Sequence, residues 1–180
     1  METEKQLIGA IQSGERAAMR RLYDRYSAYA MAVALRYVPD RDKVRDVMQD
    51  SFVKILSTID KFEYRGEGTL KAWVARVVCN KAIDHLRAQA HFAMTDNIPD
   101  RADEEQEEPD IGHLSPDALM EMIGRLPPNY RTVLNLFVFE QWSHREIANL
   151  LGIKESTSSS MFFRAKKMLA KMIKDEMGKL

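Results

Sequence analysis

The sequence predicts an all-α protein built as two small helical domains joined by a flexible acidic linker. Three observations predict this. Between sparse Gly and Pro breaks the apolar residues recur at a helical period. No run alternates strictly, as a half-buried strand would. A stretch from about 91 to 115 is poor in apolar residues and rich in charge, and reads as a tether. The expected domains are therefore 1–90 and 116–180, with 91–115 between them.

Composition narrows the class. Of 180 residues, 45% are hydrophobic and 30% charged, a balance that suits a globular protein and not a disordered one. Apolar runs are short and soon broken by charge, so no segment is expected to span a bilayer. The opening METEKQLIGAIQ is acidic and amphipathic, unlike a signal peptide. A single cysteine, Cys79, excludes an internal disulfide and fits a reducing cytoplasm. Net charge is zero but unevenly spread. From Asp96 to Asp117, nine acids face Arg101 alone, a net −8 that leaves +8 on the remainder. Basic parts joined by an acidic connector suggest a polyanionic partner for those parts.

The elements follow in order. Helices are expected at 4–13 and 15–37, with Pro39 then breaking the chain. In the helix expected at 41–59, Phe52 falls on the apolar side with Met48 and Ile55, whereas Asp46, Gln49, Asp50 and Lys54 face outward. The segment DKFEYRGEGT then supplies Phe62, Tyr64, Arg65 and two glycines, which let backbone approach a ligand closely.

The helix expected at 69–90 has two clear faces. Trp73, Arg76, Asn80, Asp84 and Arg87 fall within an arc of about 80° at 100° per residue. Val74, Ala75, Val78, Cys79, Ala82 and Leu86 lie opposite and face a core. Amide, acid and guanidinium groups beside an aromatic suit contacts to bases and phosphates, including unstacked bases. The same pattern also fits a half-buried Trp73 beside surface pairs among Arg76, Asn80 and Asp84.

After the tether, helices are expected at 116–125 and 128–140, then at 143–151 and 155–176. Ser143 caps the third of these, with Glu146 completing a capping box. Ala148 is small where helices must approach, Gly152 takes a left-handed turn, and Ile153 plugs the core. In the last helix Phe162, Ala165 and Leu169 share one face, and Thr157, Ser160, Arg164 and Lys167 share the other. That is the layout of a helix-turn-helix with its recognition helix, although an ordinary helical hairpin shares it.

Taken together these segments resemble a known family, the extracytoplasmic-function (ECF) sigma factors of the sigma-70 family. AAMRRLYDRYSAYAMAVALRYVPDRDKVRDVMQDSFVKIL is similar to the family's first conserved region, and FEYRGEGTLKAWVARVVCNKAIDHLRAQ to its promoter-melting and minus-10 region. LPPNYRTVLNLFVFEQWSHREIANLLGIKESTSSSMFFRAKKML resembles its minus-35 reader. The resemblance implies a dissociable, non-catalytic subunit that binds core RNA polymerase, directs it to promoters and helps open them. It implies clamp docking by Asp46, Gln49, Asp50 and Lys54, with Phe52 more a support than a contact. It implies minus-10 contacts by Phe62, Tyr64, Arg65, Lys71, Trp73, Arg76, Asn80, Lys81, Asp84 and Arg87, the segment from Phe62 to Thr69 capturing a flipped base. For the minus-35 element it implies Ser156, Thr157, Ser159, Ser160, Phe163, Arg164, Lys166 and Lys167. Tyr130 to Phe139 matches the part that meets the polymerase flap. Partners implied are core polymerase, duplex and single-stranded promoter DNA and an anti-sigma factor, with no cofactor or metal and a cytoplasmic location.

The chain departs from the family at the recognition helix. Lys154, Ser158, Ser159 and Met161 stand where the family commonly has serine, valine and basic residues, which predicts weak autonomous DNA binding. Two other functions compete. A stand-alone dimeric helix-turn-helix regulator would bind a symmetric operator. A small metalloenzyme would have to use Asp103 to Asp110, which lacks histidines at ligand spacing and any preorganised surround. His85, His91, His113 and His144 are scattered and expected at the surface.

Overall fold

A computed structural model describes residues 2–89 and 114–177, and these form helices without a strand among them. The chain divides into two compact units, Met1–Leu86 and Arg87–Leu180. The acidic run from 96 to 113 lies outside the described residues, as do His91 and His113.

The first unit holds α1 (Glu4–Gln12), α2 (Arg16–Tyr37), α3 (Arg41–Thr58) and α4 (Thr69–Arg87), with a single 3-10 turn at Ile59–Lys61. Each start has a local cause. Thr3 caps α1 in a capping box, its hydroxyl accepting from the Gln6 amide while the Gln6 side chain accepts from the Thr3 amide. Asp40 follows Pro39 and accepts from the amides of Asp42 and Lys43 at 3.0 and 3.3 Å. Those two bonds hold its carboxyl below the usual range. α1 and α3 pack on α2. Leu7, Leu22, Tyr37, Ile55, Leu70 and Ile83 are among the largest fully buried side chains. Each contributes roughly 2 kcal/mol of transfer free energy. Cys79 is buried, its Sγ 3.5 Å from the Tyr37 hydroxyl.

The second unit holds α5 (Pro116–Arg125), α6 (Pro128–Val138), α7 (His144–Leu151) and α8 (Glu155–Met177). Proline opens α5 and α6 at the first helical position, where its missing N–H costs nothing. α6 and α7 both pack on α8, and α5 adds to the same core. Ile123, Leu126, Leu134 and Ala165 form its centre. Arg131 is buried with them, and its guanidinium donates to the carbonyls of Gly124 (2.7 Å) and Leu126 (3.0 Å), tying the α5–α6 corner.

Element boundaries lie within three residues of the sequence expectation, the ordinary scale of helix-end ambiguity. α4 ends at Arg87 and not at 90, and α6 ends at Val138 and not at 140. Gln141 takes a left-handed backbone (φ 58°), and the Trp142 amide returns to the Leu136 carbonyl at 3.0 Å.

Candidate nucleic-acid interface

The loop into α4 is built by two left-handed glycines, Gly66 (φ 130°) and Gly68 (φ 87°). The Thr69 hydroxyl donates to the Gly66 carbonyl at 2.6 Å and closes the turn. No side chain within the loop caps the first amides of α4. A distant one does. The Glu4 carboxylate of α1, only 3% exposed, accepts from the amides of Gly68 (2.9 Å), Leu70 (3.1 Å) and Lys71 (3.3 Å) and from the Tyr26 hydroxyl (2.8 Å). Burial and the bond to Glu4 push the Tyr26 hydroxyl far above its usual range.

The α4 stripe forms, with graded exposure. Arg76, Asp84 and Arg87 are exposed, whereas Trp73, Asn80 and Lys81 are half-buried. Trp73 packs against Phe62 of the loop, with ring centroids 5.1 Å apart. Trp73 is half-buried, an exposure that both sequence readings allow. The ring is a joint between loop and helix. The Asn80 Oδ1 is enclosed, with no hydrogen-bond partner. Lys71 is exposed, its ammonium 4.6 Å from the centroid of the Tyr29 ring. Tyr64 is half-buried, and exposed Arg65 pairs with Glu63 at 3.2 Å.

On α3, Asp46, Gln49, Asp50 and Lys54 are all exposed, and Phe52 is buried against Tyr23 with centroids 4.6 Å apart. Sequence reasoning missed Val53. It is 62% exposed, on the same face of α3 as these polar residues. The helical period carries the signal, because Asp46, Gln49, Asp50 and Val53 fall at i, i+3, i+4 and i+7. Met19 and Tyr23 of α2 are exposed apolar residues as well.

The helix-turn-helix corner forms from local chemistry. Ser143 and Glu146 make the reciprocal capping box. Gly152 is left-handed (φ 69°, ψ 35°), and its amide and that of Ile153 both reach the Ala148 carbonyl, at 2.9 and 3.1 Å. Ala148 is buried, as the close approach requires. On α8, Ser156, Ser159, Lys166 and Lys167 are exposed, Ser160 and Arg164 are half-buried, and Phe163 is 43% exposed.

Four expectations need correction here. Thr157 is 6% exposed and points inward, because it sits one and two turns before Met161 and Ala165 on the core stripe. Met161 is buried too, so it is a core residue and not a place where the outward face lacks a basic side chain. His144 is half-buried rather than at the surface. It stacks on Phe137 with centroids 4.4 Å apart, and its Nδ1 lies 3.0 Å from the Ser158 hydroxyl. Of the segment Tyr130–Phe139, residues 131–136 are buried, which leaves Val138 and Phe139 as its exposed end. Ser158, in contrast, lies on the core side where its spacing puts it, 0% exposed.

Among the described residues no cluster of three or more His, Cys, Asp or Glu side chains is arranged to hold a metal ion. None of the described helices is long and apolar enough to cross a membrane.

Comparison with known sequences accounts for both units. The family described as Sigma-70 region 2 matches residues 22–92, and Sigma-70, region 4 matches residues 117–169. The ECF RNA polymerase sigma-E factor of Haemophilus influenzae is 30% identical, with 95% of this chain and 95% of that protein covered. The chain belongs to the ECF sigma factors. The RNA polymerase sigma-H factor of Pseudomonas aeruginosa is 27% identical to this ECF sigma factor, over 96% of this chain and 94% of that one. The solved structure of CnrH in complex with the cytosolic domain of CnrY shares the fold at 22% identity and a TM-score of 0.53, covering 94% of this sigma factor and 96% of that chain. The region 2 match begins at Leu22, so α1 and its Glu4 precede it.

Proposed function

We propose that this ECF sigma factor binds bacterial core RNA polymerase, brings it to promoters carrying two spaced elements and helps open them, with no catalysis of its own. The observation that carries this reading is the presence of both modules, in order, in a chain that aligns end to end with a sigma factor. Residues 1–90 serve clamp docking and minus-10 recognition, 91–115 tether, and 116–180 read the minus-35 element. The exposed α3 face of Asp46, Gln49, Asp50 and Lys54, now with Val53, docks on the polymerase clamp. The α4 stripe and its loop receive the opened minus-10 strand. A base leaves the stack at a cost of a few kcal/mol, so it needs a receiving surface. The Phe62–Trp73 joint with Arg76, Asn80, Asp84 and Arg87 supplies one. On α8, Ser156, Ser159, Ser160, Phe163, Arg164, Lys166 and Lys167 face the minus-35 duplex, without Thr157. Val138 and Phe139 meet the flap. An anti-sigma factor that masks these faces and a cytoplasmic location complete the reading.

In vitro transcription from pooled genomic DNA with core polymerase, with and without the protein, tests it. New starts that depend on the protein and share two spaced upstream elements are expected. A protein that instead shifts a palindromic duplex without polymerase is a stand-alone regulator.

A further inference from the structure

We infer that α1 is a positioning element for promoter opening, with Glu4 and Gln12 holding the two ends of the base-receiving loop. The inference rests on the promoter-opening function proposed above. At the loop's far end the Glu4 carboxylate, 3% exposed, takes the amides of Gly68, Leu70 and Lys71. The Glu4 amide donates to the Glu67 carboxylate at 3.3 Å. At the near end the Gln12 amide group donates to the carbonyls of Asp60 and Phe62, both at 3.2 Å. One nine-residue helix therefore fixes both ends of an eleven-residue stretch, 60–70.

The physical need is clear. Helix N-termini carry unpaired amides and partial positive charge, and a carboxylate answers both. Such a cap is normally supplied by the residue just before the helix. Here that place is taken by Gly68, which has no side chain to offer, and Gly66 and Gly68 add backbone freedom. A loop with that freedom would lose conformational entropy when it closed on a base. A loop already tied at both ends loses less, and the saving appears as tighter capture. The Tyr26 hydroxyl, bonded to Glu4, fixes the carboxylate in turn.

The test uses the full chain bound to core polymerase. The probes are labelled single-stranded oligonucleotides of the non-template minus-10 element, taken from a promoter mapped by the transcription experiment above. One probe is intact, and each of the others carries one abasic nucleotide. With the wild-type protein, one abasic position weakens binding by about tenfold, the scale of one lost base contact. Glu4→Ala and Gln12→Ala weaken binding to the intact probe, and sensitivity at that position collapses to about twofold or less. Sensitivity at the other positions and affinity for core polymerase stay as they were. Glu4→Gln keeps an acceptor for the loop amides and retains most of the effect. Thermal melts report whether Glu4→Ala is folded. Should it not be, Gln12→Ala, altered at an exposed site, carries the test alone. Full wild-type sensitivity in the folded variants overturns the inference, as does uniform loss at every position together with core binding. Should the wild-type protein itself be insensitive at every position, the base-capture reading falls first and takes the inference with it.

Discussion

Asn80, on the proposed minus-10 surface, carries a structural cost. Its Oδ1 is enclosed without a partner, and a desolvated acceptor costs roughly 1–3 kcal/mol. Asn80→Ala removes that burden together with the side chain. The expected result is unchanged or higher thermal stability, unchanged polymerase binding and about tenfold fewer open complexes, since one base contact is worth on the order of 1–3 kcal/mol. Equal loss of core binding and opening would show that the residue serves the fold. His144 makes a second prediction. Burial lowers its pKa from 6.5, and the charge of Glu155 opposes the shift. The unfolded chain therefore binds the proton first as pH falls, so the stability of the second unit declines as pH drops below about 6.5. Melts at pH 7.5 and 5.5 should differ, and His144→Phe should remove most of the difference. At this scale the sequence was least legible. A run of Ser-Thr-Ser-Ser-Ser has no apolar contrast of its own, so Thr157 is placed inward only by counting back from Met161 and Ala165. The bond between Ser158 and His144 spans two helices and leaves no local trace.

Among elements, the α7–α8 corner was legible almost to the atom, because capping boxes and left-handed glycines act within a few residues. A Cβ at Gly152 would meet nothing within 4 Å, so Gly152→Ala carries only the conformational cost of a left-handed alanine, roughly 1–2 kcal/mol. Urea melts of the full chain should show that loss in the second unit. The end of α6 was misread because Gln141, not glycine, takes the left-handed turn. The cap on α4 could not be read at all. Its carboxylate comes from Glu4, 66 residues before Leu70, and no periodic pattern reports a pairing at that distance.

For the whole molecule, the all-helical class followed from period and punctuation, and the family followed from three motifs in order. The outward face of α8 offers Arg164, Lys166 and Lys167 as cations near its serines. For the protein alone on minus-35 duplex, the slope of log affinity against log salt should be no steeper than about −3. A slope near −8 would mean that other basic surfaces share the contact. A slope that shallow would mean that the two proposed readers work by being joined, since linkage turns the second encounter into an intramolecular one.

The brace formed by Glu4 lies upstream of Leu22, where the family match begins. A chimera that exchanges promoter preference by splicing at that boundary would import a reading head without its mount. Junctions placed before Thr3 would carry both, and the α1 sequence would then travel with the loop it braces.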